Sequence, residues 1–337
     1  MAHQFLPSRR AVLRAIAGAG CLLARNSKAK AATPVDALVS QAAFEGQEPE
    51  CLVRRRYKAH AQVRFLSIPI FSRQDVGGAF AELAEYRSGD RSLVTLKFAA
   101  GSDPARTSGL NRAGCIEEAV LTESGICTHA AYFGFMAASK EQSLDQARAS
   151  LRAPAGHSMP YAAAAGDGQN GKFHCILRHV SMPSRLNWTS FNEMDGEVRK
   201  LFSGSVETDA GTRESTLDAN PETFLFSILR AVTSNETKAE RAIVYNGKRY
   251  RLKTQKQLEQ RANHRSWRLA GSITEDGHSD GSPFQVWFDA DGENLLPTRI
   301  EFSPKSYLRL VFEQEPVSPK PGTIPARSPF SLAHSLR

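Results

Sequence analysis

The chain has 337 residues, 41% of them hydrophobic and 23% charged, with a formal charge of +8. This is enough for one large or two ordinary domains with a buried core. It excludes a disordered chain, and no apolar run approaches the roughly 20 residues of a membrane-spanning helix.

The first element is a targeting segment. Ser8-Arg9-Arg10-Ala11-Val12-Leu13-Arg14 has the form of a twin-arginine export signal, with Arg9 and Arg10 as the paired arginines. An apolar stretch from Ala15 to Ala24 and the small-residue pattern Ala29-Lys30-Ala31 follow, which predicts a signal peptide over 1–31 and a periplasmic or secreted mature protein. The leader holds six basic residues and no acid, so its removal takes the formal charge from +8 to +2. A nearly neutral mature chain gives no argument for nucleic acid or an anionic membrane as partner, and nucleic acid is dropped.

The mature chain reads as strands. Tyr57, Ala59, Ala61, Val63 and Phe65 alternate with Lys58, His60, Gln62 and Arg64, the period of a half-buried strand. Before it, Arg54-Arg55-Arg56 is expected to decorate a solvated strand. Pro69 marks an edge or bulge, Gly77-Gly78 a break, and Ala79 to Tyr86 and Leu93 to Phe98 the next strands. Short strands continue from Cys115 to Met136, and Ser139 with Gln142 is a capping box opening a helix to about Leu151. Residues 152–171 are rich in Ala, Gly and Pro and are expected to form a loop or insertion. Lys172 to Val180 resumes as a strand, and 183–219 is polar with few anchors.

Asn220-Pro221 then supplies an N-cap and a first-turn proline for a helix near 221–233, whose Phe224, Leu225, Ile228, Leu229 and Val232 share one face. After it, Asn246-Gly247 joins two strands with the dipeptide that suits a type I′ turn. Arg265 to Ile273, Phe284 to Phe288, Pro297 to Phe302 and Tyr307 to Glu313 complete an antiparallel run. The tail over 316–337 carries five prolines and reads as disordered. A meander of strands with one core helix predicts a mainly β (α+β) fold, a curled antiparallel sheet forming one domain over 51–313.

Four cysteines remain after the leader: Cys51, Cys115, Cys127 and Cys175. In an oxidising compartment an even number favours disulfides. The short loop between Cys115 and Cys127 favours that bridge and leaves Cys51 with Cys175. The rival reading is a metal site from Cys127, His129, Cys175 and His179, because residues two or four apart on a strand share a face.

From Pro221 through Arg230, the Asn-Gly hairpin, Val286-Trp287-Phe288-Asp289-Ala290-Asp291 and Leu296-Pro297-Thr298-Arg299-Ile300, the chain resembles a family of exported bacterial proteins of unknown function. The resemblance covers about residues 220–313 and implies an antiparallel β-roll or half-barrel. That family is similar in gross shape to periplasmic carriers of lipoproteins and lipids, and it implies no catalytic residues.

Motif matches elsewhere fail on context. Gly166-Asp167-Gly168-Gln169-Asn170-Gly171 spells a dinucleotide-binding loop but precedes an expected strand, where the chemistry requires a helix N-terminus. Gly156-His157-Ser158-Met159-Pro160 lacks the second glycine of a nucleophile elbow. The acidic turns at 275–281 and 289–293 lack a full calcium loop, and Phe224, Phe226 and Trp287 read as core rather than as a ligand pocket. No cofactor is expected. The expected role is a non-enzymatic envelope protein binding an apolar small molecule or lipid, or a protein partner. The alternative is a hydrolytic or metal-assisted enzyme at the Cys127, His129, Cys175 and His179 group.

Overall fold

The computed structural model describes residues 50–65, 68–88, 91–107, 111–121, 127–135, 158–167, 172–183, 188–202, 213–218, 222–245, 247–261, 264–292, 295–305 and 307–316. Fifteen strands form a single sheet in the order β8-β7-β6-β5-β4-β3-β2-β1-β15-β14-β13-β12-β11-β10-β9. The first eight strands are β1 (Glu50–Phe65), β2 (Ile68–Ser88), β3 (Arg91–Ser102), β4 (Ala113–Leu121), β5 (Cys127–Phe135), β6 (Ser158–Asp167), β7 (Lys172–Pro183) and β8 (Arg213–Asp218). The remaining seven are β9 (Glu222–Thr223), β10 (Lys238–Tyr245), β11 (Lys248–Arg261), β12 (His264–Glu275), β13 (Ser282–Asp289), β14 (Arg299–Lys305) and β15 (Leu308–Gln314). All pairings are antiparallel except the short β9–β10 contact. Two halves built from consecutive hairpins are joined where β1 pairs with β15.

The sheet curls until it nearly closes. Tyr132 on β5 donates a hydrogen bond to the Val244 carbonyl on β10, and the Tyr132 and Tyr245 rings meet edge to face at 4.9 Å. Strands near opposite ends of the sheet order therefore touch across the interior, the half-barrel that the alternating pattern implies. Among the described residues, two apolar clusters pack into that interior. One apolar cluster joins Tyr57, Leu83, Leu96, Tyr132, Phe173 and Phe312 from the wall to Phe226 and Leu229 of helix α2 (Phe224–Thr233). A second packs Ile228 and Ala231 of the same helix against Ile243, Leu252, Leu269 and Phe288. The helix works as the core of the barrel because its apolar residues recur at spacings of three and four.

A second helix, α1 (Phe191–Phe202), covers the outer wall. Phe80 of β2 lies 5.1 Å from the Phe191 ring and 6.1 Å from the Trp188 ring, and Lys97 of β3 reaches Asp195 at 3.0 Å. The seat for Trp188 consists of glycines. A Cβ on Gly78 would stand 2.7 Å from Trp188 Nε1, and one on Gly101 would stand 2.8 Å from Trp188 Cβ.

Several expectations are corrected here. Residues 158–167 of the expected loop are strand β6, paired on both sides, because the neighbouring strands supply the ladder that an Ala-rich segment does not announce. Gly77-Gly78 lies inside the long β2, where Gly77 makes a close backbone approach to Gly101. The polar stretch 183–219 contains α1 and β8. Helix α2 begins at Phe224 with Thr223 as its N-cap, later than the expected start, since Glu222 and Thr223 pair with β10 as β9. The Asn-Gly hairpin is as expected, with Tyr245 paired to Lys248 and Gly247 at φ 71°. The capping box at Ser139 and Gln142, the leader with Arg9 and Arg10, and the 317–337 part of the tail lie outside the described residues. Among those described, no helix is long and apolar enough to cross a membrane.

Candidate functional site

The predicted site residues do not converge. Cys115 is opposite Phe133 in the β4–β5 ladder, whereas Cys127 is opposite Val120, five residues farther along β4. At about 3.3 Å per residue the two backbones stand roughly 16 Å apart, well beyond the ~7 Å limit of a disulfide. The preferred Cys115–Cys127 bridge is therefore excluded by register. Cys175 is a buried thiol with no bridge, so the companion Cys51–Cys175 bridge is absent as well. Burial alone pushes the Cys175 thiol up to about 12, which leaves it protonated and inert.

The rival metal group is also dispersed. The ladders align Cys175 with Ala130 through Gly166, but align His179 with Gly134 through Ala162. Four residues of strand, about 13 Å, separate Cys175 from His179, too far for one ion. The side chains of Cys127, His129 and His179 lie outside the described set, and no group of three metal-binding side chains occurs among the described residues.

The other motifs resolve as structure. The Gly166-to-Gly171 match runs from the end of β6 to the start of β7, with strands on both sides. Ser158 opens β6 and has no helix after it. Both acidic turns join strands. Gly277 sits at φ 81° in one, and in the other the Asp291 amide donates to Asp289 Oδ1 while Arg265 pairs with the Asp291 carboxylate. Phe224 and Phe226 are core around α2, and Trp287 Nε1 donates to Glu259. In the Arg54-Arg55-Arg56 run only the outer two are exposed. Arg55 points inward and donates to the Leu296 carbonyl at 2.7 Å, while Tyr57 Oη donates to the Pro297 carbonyl at 2.7 Å. Together they fix the β13–β14 loop and its buried Leu296 over one end of the barrel.

Two features missed in the sequence carry more weight. The first is the mounting of α2. Glu118 on β4 is fully buried and accepts the amides of Leu225 at 2.9 Å and Phe226 at 3.0 Å. Burial pushes this carboxyl up to about 7, and the amides that donate to it pull in the opposite direction. At the other end Lys256 of β11 donates to the carbonyls of Val232 and Ser234, with its ammonium 5.1 Å from the Trp267 ring centre. An acid at the amide end and a base at the carbonyl end match the helix dipole. A signal was present: Glu118 continues the inward series Ile116, Val120, and Lys256 continues Tyr250, Leu252, Thr254. A charge at a core position implies a buried partner.

The second feature is an arm. Between Ala59 and Ala61 the β1–β2 register shifts, and three β2 residues stand opposite His60. There Asp75 adopts φ 52°, and its amide donates to His60 Nδ1 at 3.0 Å. β3 pairs with β2 only from Gly77 onward. Beyond the bulge the one described strand that flanks the hairpin is β15, and the hairpin carries exposed Ile68, Ile70 and Phe71 near its end. Its sequence signal is the apolar run Phe65, Leu66, Ile68, Ile70, Phe71, which interrupts the alternation that precedes it.

Neither a family model nor a curated protein matches the sequence. Among solved structures, the chain is similar to the crystal structure of a beta-barrel-like protein of domain of unknown function DUF1849 from Brucella abortus. The TM-score is 0.35 at 5% identity, over 78% of this chain and 95% of that one. No residue role transfers on this likeness.

Proposed function

We propose that this is an exported cell-envelope protein that works by binding at its outer surface and not by chemistry. The observation that carries the reading is the apolar packing of the described residues inside the barrel. Side chains from both halves of the sheet close on α2, and the helix is held at both ends by wall residues. A carrier that shelters an apolar molecule needs a chamber of several hundred cubic ångströms. Here the described inward positions contact one another and the helix, which supports moving the apolar-ligand expectation from the lumen to the exterior. The twin-arginine leader supports the location, since that route transports folded proteins.

Two measurements test this reading. Fractionation of cells expressing the full chain should place the processed protein in the envelope or medium, with Arg9→Lys/Arg10→Lys trapping it inside. Native mass spectrometry of the purified protein should give the mass of the polypeptide alone. A lipid retained at one equivalent through gentle purification would overturn the surface-binding reading and restore a luminal carrier.

A further inference from the structure

We propose that the projecting β1–β2 hairpin, with the adjoining β14–β15 turn, is a docking tip that inserts into an anionic lipid surface; this deepens the surface-binding reading above and rests on it. Five large apolar side chains are exposed among the described residues, and four gather at this one end: Ile68, Ile70, Phe71 and Tyr307, each at least half exposed. The two hairpins are tied together, since the Arg64 amide donates to the Tyr307 carbonyl and Val63 is registered between Leu308 and Phe71. A patch built from two adjoining hairpins differs from the scattered apolar residues of an ordinary surface.

The choice of occupant follows from edge chemistry and charge. An added protein strand would use the open edge of β2, but that edge carries Pro69, which has no amide hydrogen, and a second register shift between Val63 and Arg64. Both features blunt strand pairing. A strand along the edge would also leave the turn and Tyr307 in water. A bilayer interface surrounds a protruding tip on every side, and mixed aliphatic and aromatic tips suit it. The seven residues from the bulge to the tip reach roughly 20 Å, which allows insertion while the barrel stays in water.

Charge points the same way. Over 62–74 and 302–308 the sequence holds Arg64, Arg73 and Lys305 and no acid. The first acid at the base of the arm, Asp75, faces Arg106 at 3.4 Å. Arginine and lysine beside an apolar tip are drawn to anionic headgroups. The barrel wall differs: on β10 and β11, Glu240 pairs with Arg251 and Lys253 on an exposed, charged surface.

The test uses the full chain and sedimentation with vesicles of phosphatidylglycerol and phosphatidylethanolamine, compared with neutral phosphatidylcholine vesicles. Wild type should pellet with the anionic vesicles and release at high salt. Ile68→Ser/Ile70→Ser/Phe71→Ser should lose about tenfold or more in apparent affinity. Its unfolding midpoint should not change, because the three side chains are exposed. Arg64→Gln/Arg73→Gln should weaken the preference for anionic over neutral vesicles. Equal pelleting by the triple-serine variant, or wild type left in the supernatant, overturns the proposal. So does wild type that ignores vesicles while its tip crosslinks to one envelope protein. An inability to be exported would defeat the envelope reading alone and leave the vesicle result standing.

Discussion

Glu118 and Lys256 hold opposite ends of the same helix from opposite parts of the barrel wall. The carboxyl on β4 receives the first amides of α2, and the ammonium on β11 donates to its last carbonyls. Replacing Glu118 with Ala should cost about 3 kcal/mol, because the Leu225 and Phe226 amides lose their acceptor. Lys256→Met should cost less, about 1–2 kcal/mol, since the carbonyl end lies nearer to other donors and solvent. The helix is about 15 Å long, so the two effects should add within a few tenths of a kcal/mol in urea unfolding. Strong coupling would contradict independent clamps.

The same carboxyl gives a pH dependence with a defined sign. Its folded pKa of about 7 lies above the ordinary carboxylate value of 4.5, so the folded state binds the proton more tightly than the unfolded chain. This contribution to stability is complete below about pH 4.5 and is lost as pH rises through 7. Tyr245 is the titratable neighbour, and burial with the Glu118 charge pushes its hydroxyl up to about 12, outside this window. The melting temperature of wild type should therefore fall relative to Glu118→Gln between pH 5 and 8. Parallel profiles would show that Glu118 does not titrate there.

Glycine substitutions separate the packed wall from the open helix. Gly77→Ala places a methyl group 1.9 Å from the Gly101 carbonyl oxygen, a backbone atom that cannot swing away, and should cost about 3 kcal/mol. Gly196 in α1 has open space around its missing Cβ, so Gly196→Ala should stabilise by about 0.5–1 kcal/mol through helix propensity. Thermal unfolding of the two variants checks both signs. A tolerated Gly77→Ala would mean that β2 and β3 are not held at this distance.

Thiol chemistry offers a further check. Cys175 lies inside the barrel with its thiol pushed up to about 12, so it should resist alkylation in the folded protein and react once the chain is denatured without reductant. A tryptic fragment linking Cys175 to Cys51 under non-reducing conditions would contradict this interior.

The sequence made the sheet legible wherever one face alternated. Tyr57 and Ala59 are buried while Lys58 is exposed, and the Asn-Gly turn joins β10 to β11 as local chemistry requires. Misreadings arose where distant residues decide. The start of α2 at Phe224 is set by a carboxyl more than a hundred residues upstream, which the local Asn220-Pro221 signal does not reveal. β6 forms from alanines because β5 and β7 pair with it, and Gly78 looked like a break because its role is to seat Trp188. The candidate site was least legible. Glu118, Lys256 and the apolar arm each broke the alternation around them, and in each case that break marked a structural or binding role.

The central claim is that recognition occurs at the outer tip and not within the barrel. Photo-crosslinking in living cells tests it most directly, with a photoreactive amino acid placed singly at exposed position 70 or at buried position 229 of α2. The account predicts lipid adducts at position 70 and only the unmodified chain at position 229. Adducts at position 229 would contradict it, because they would require a ligand where the wall now meets the helix.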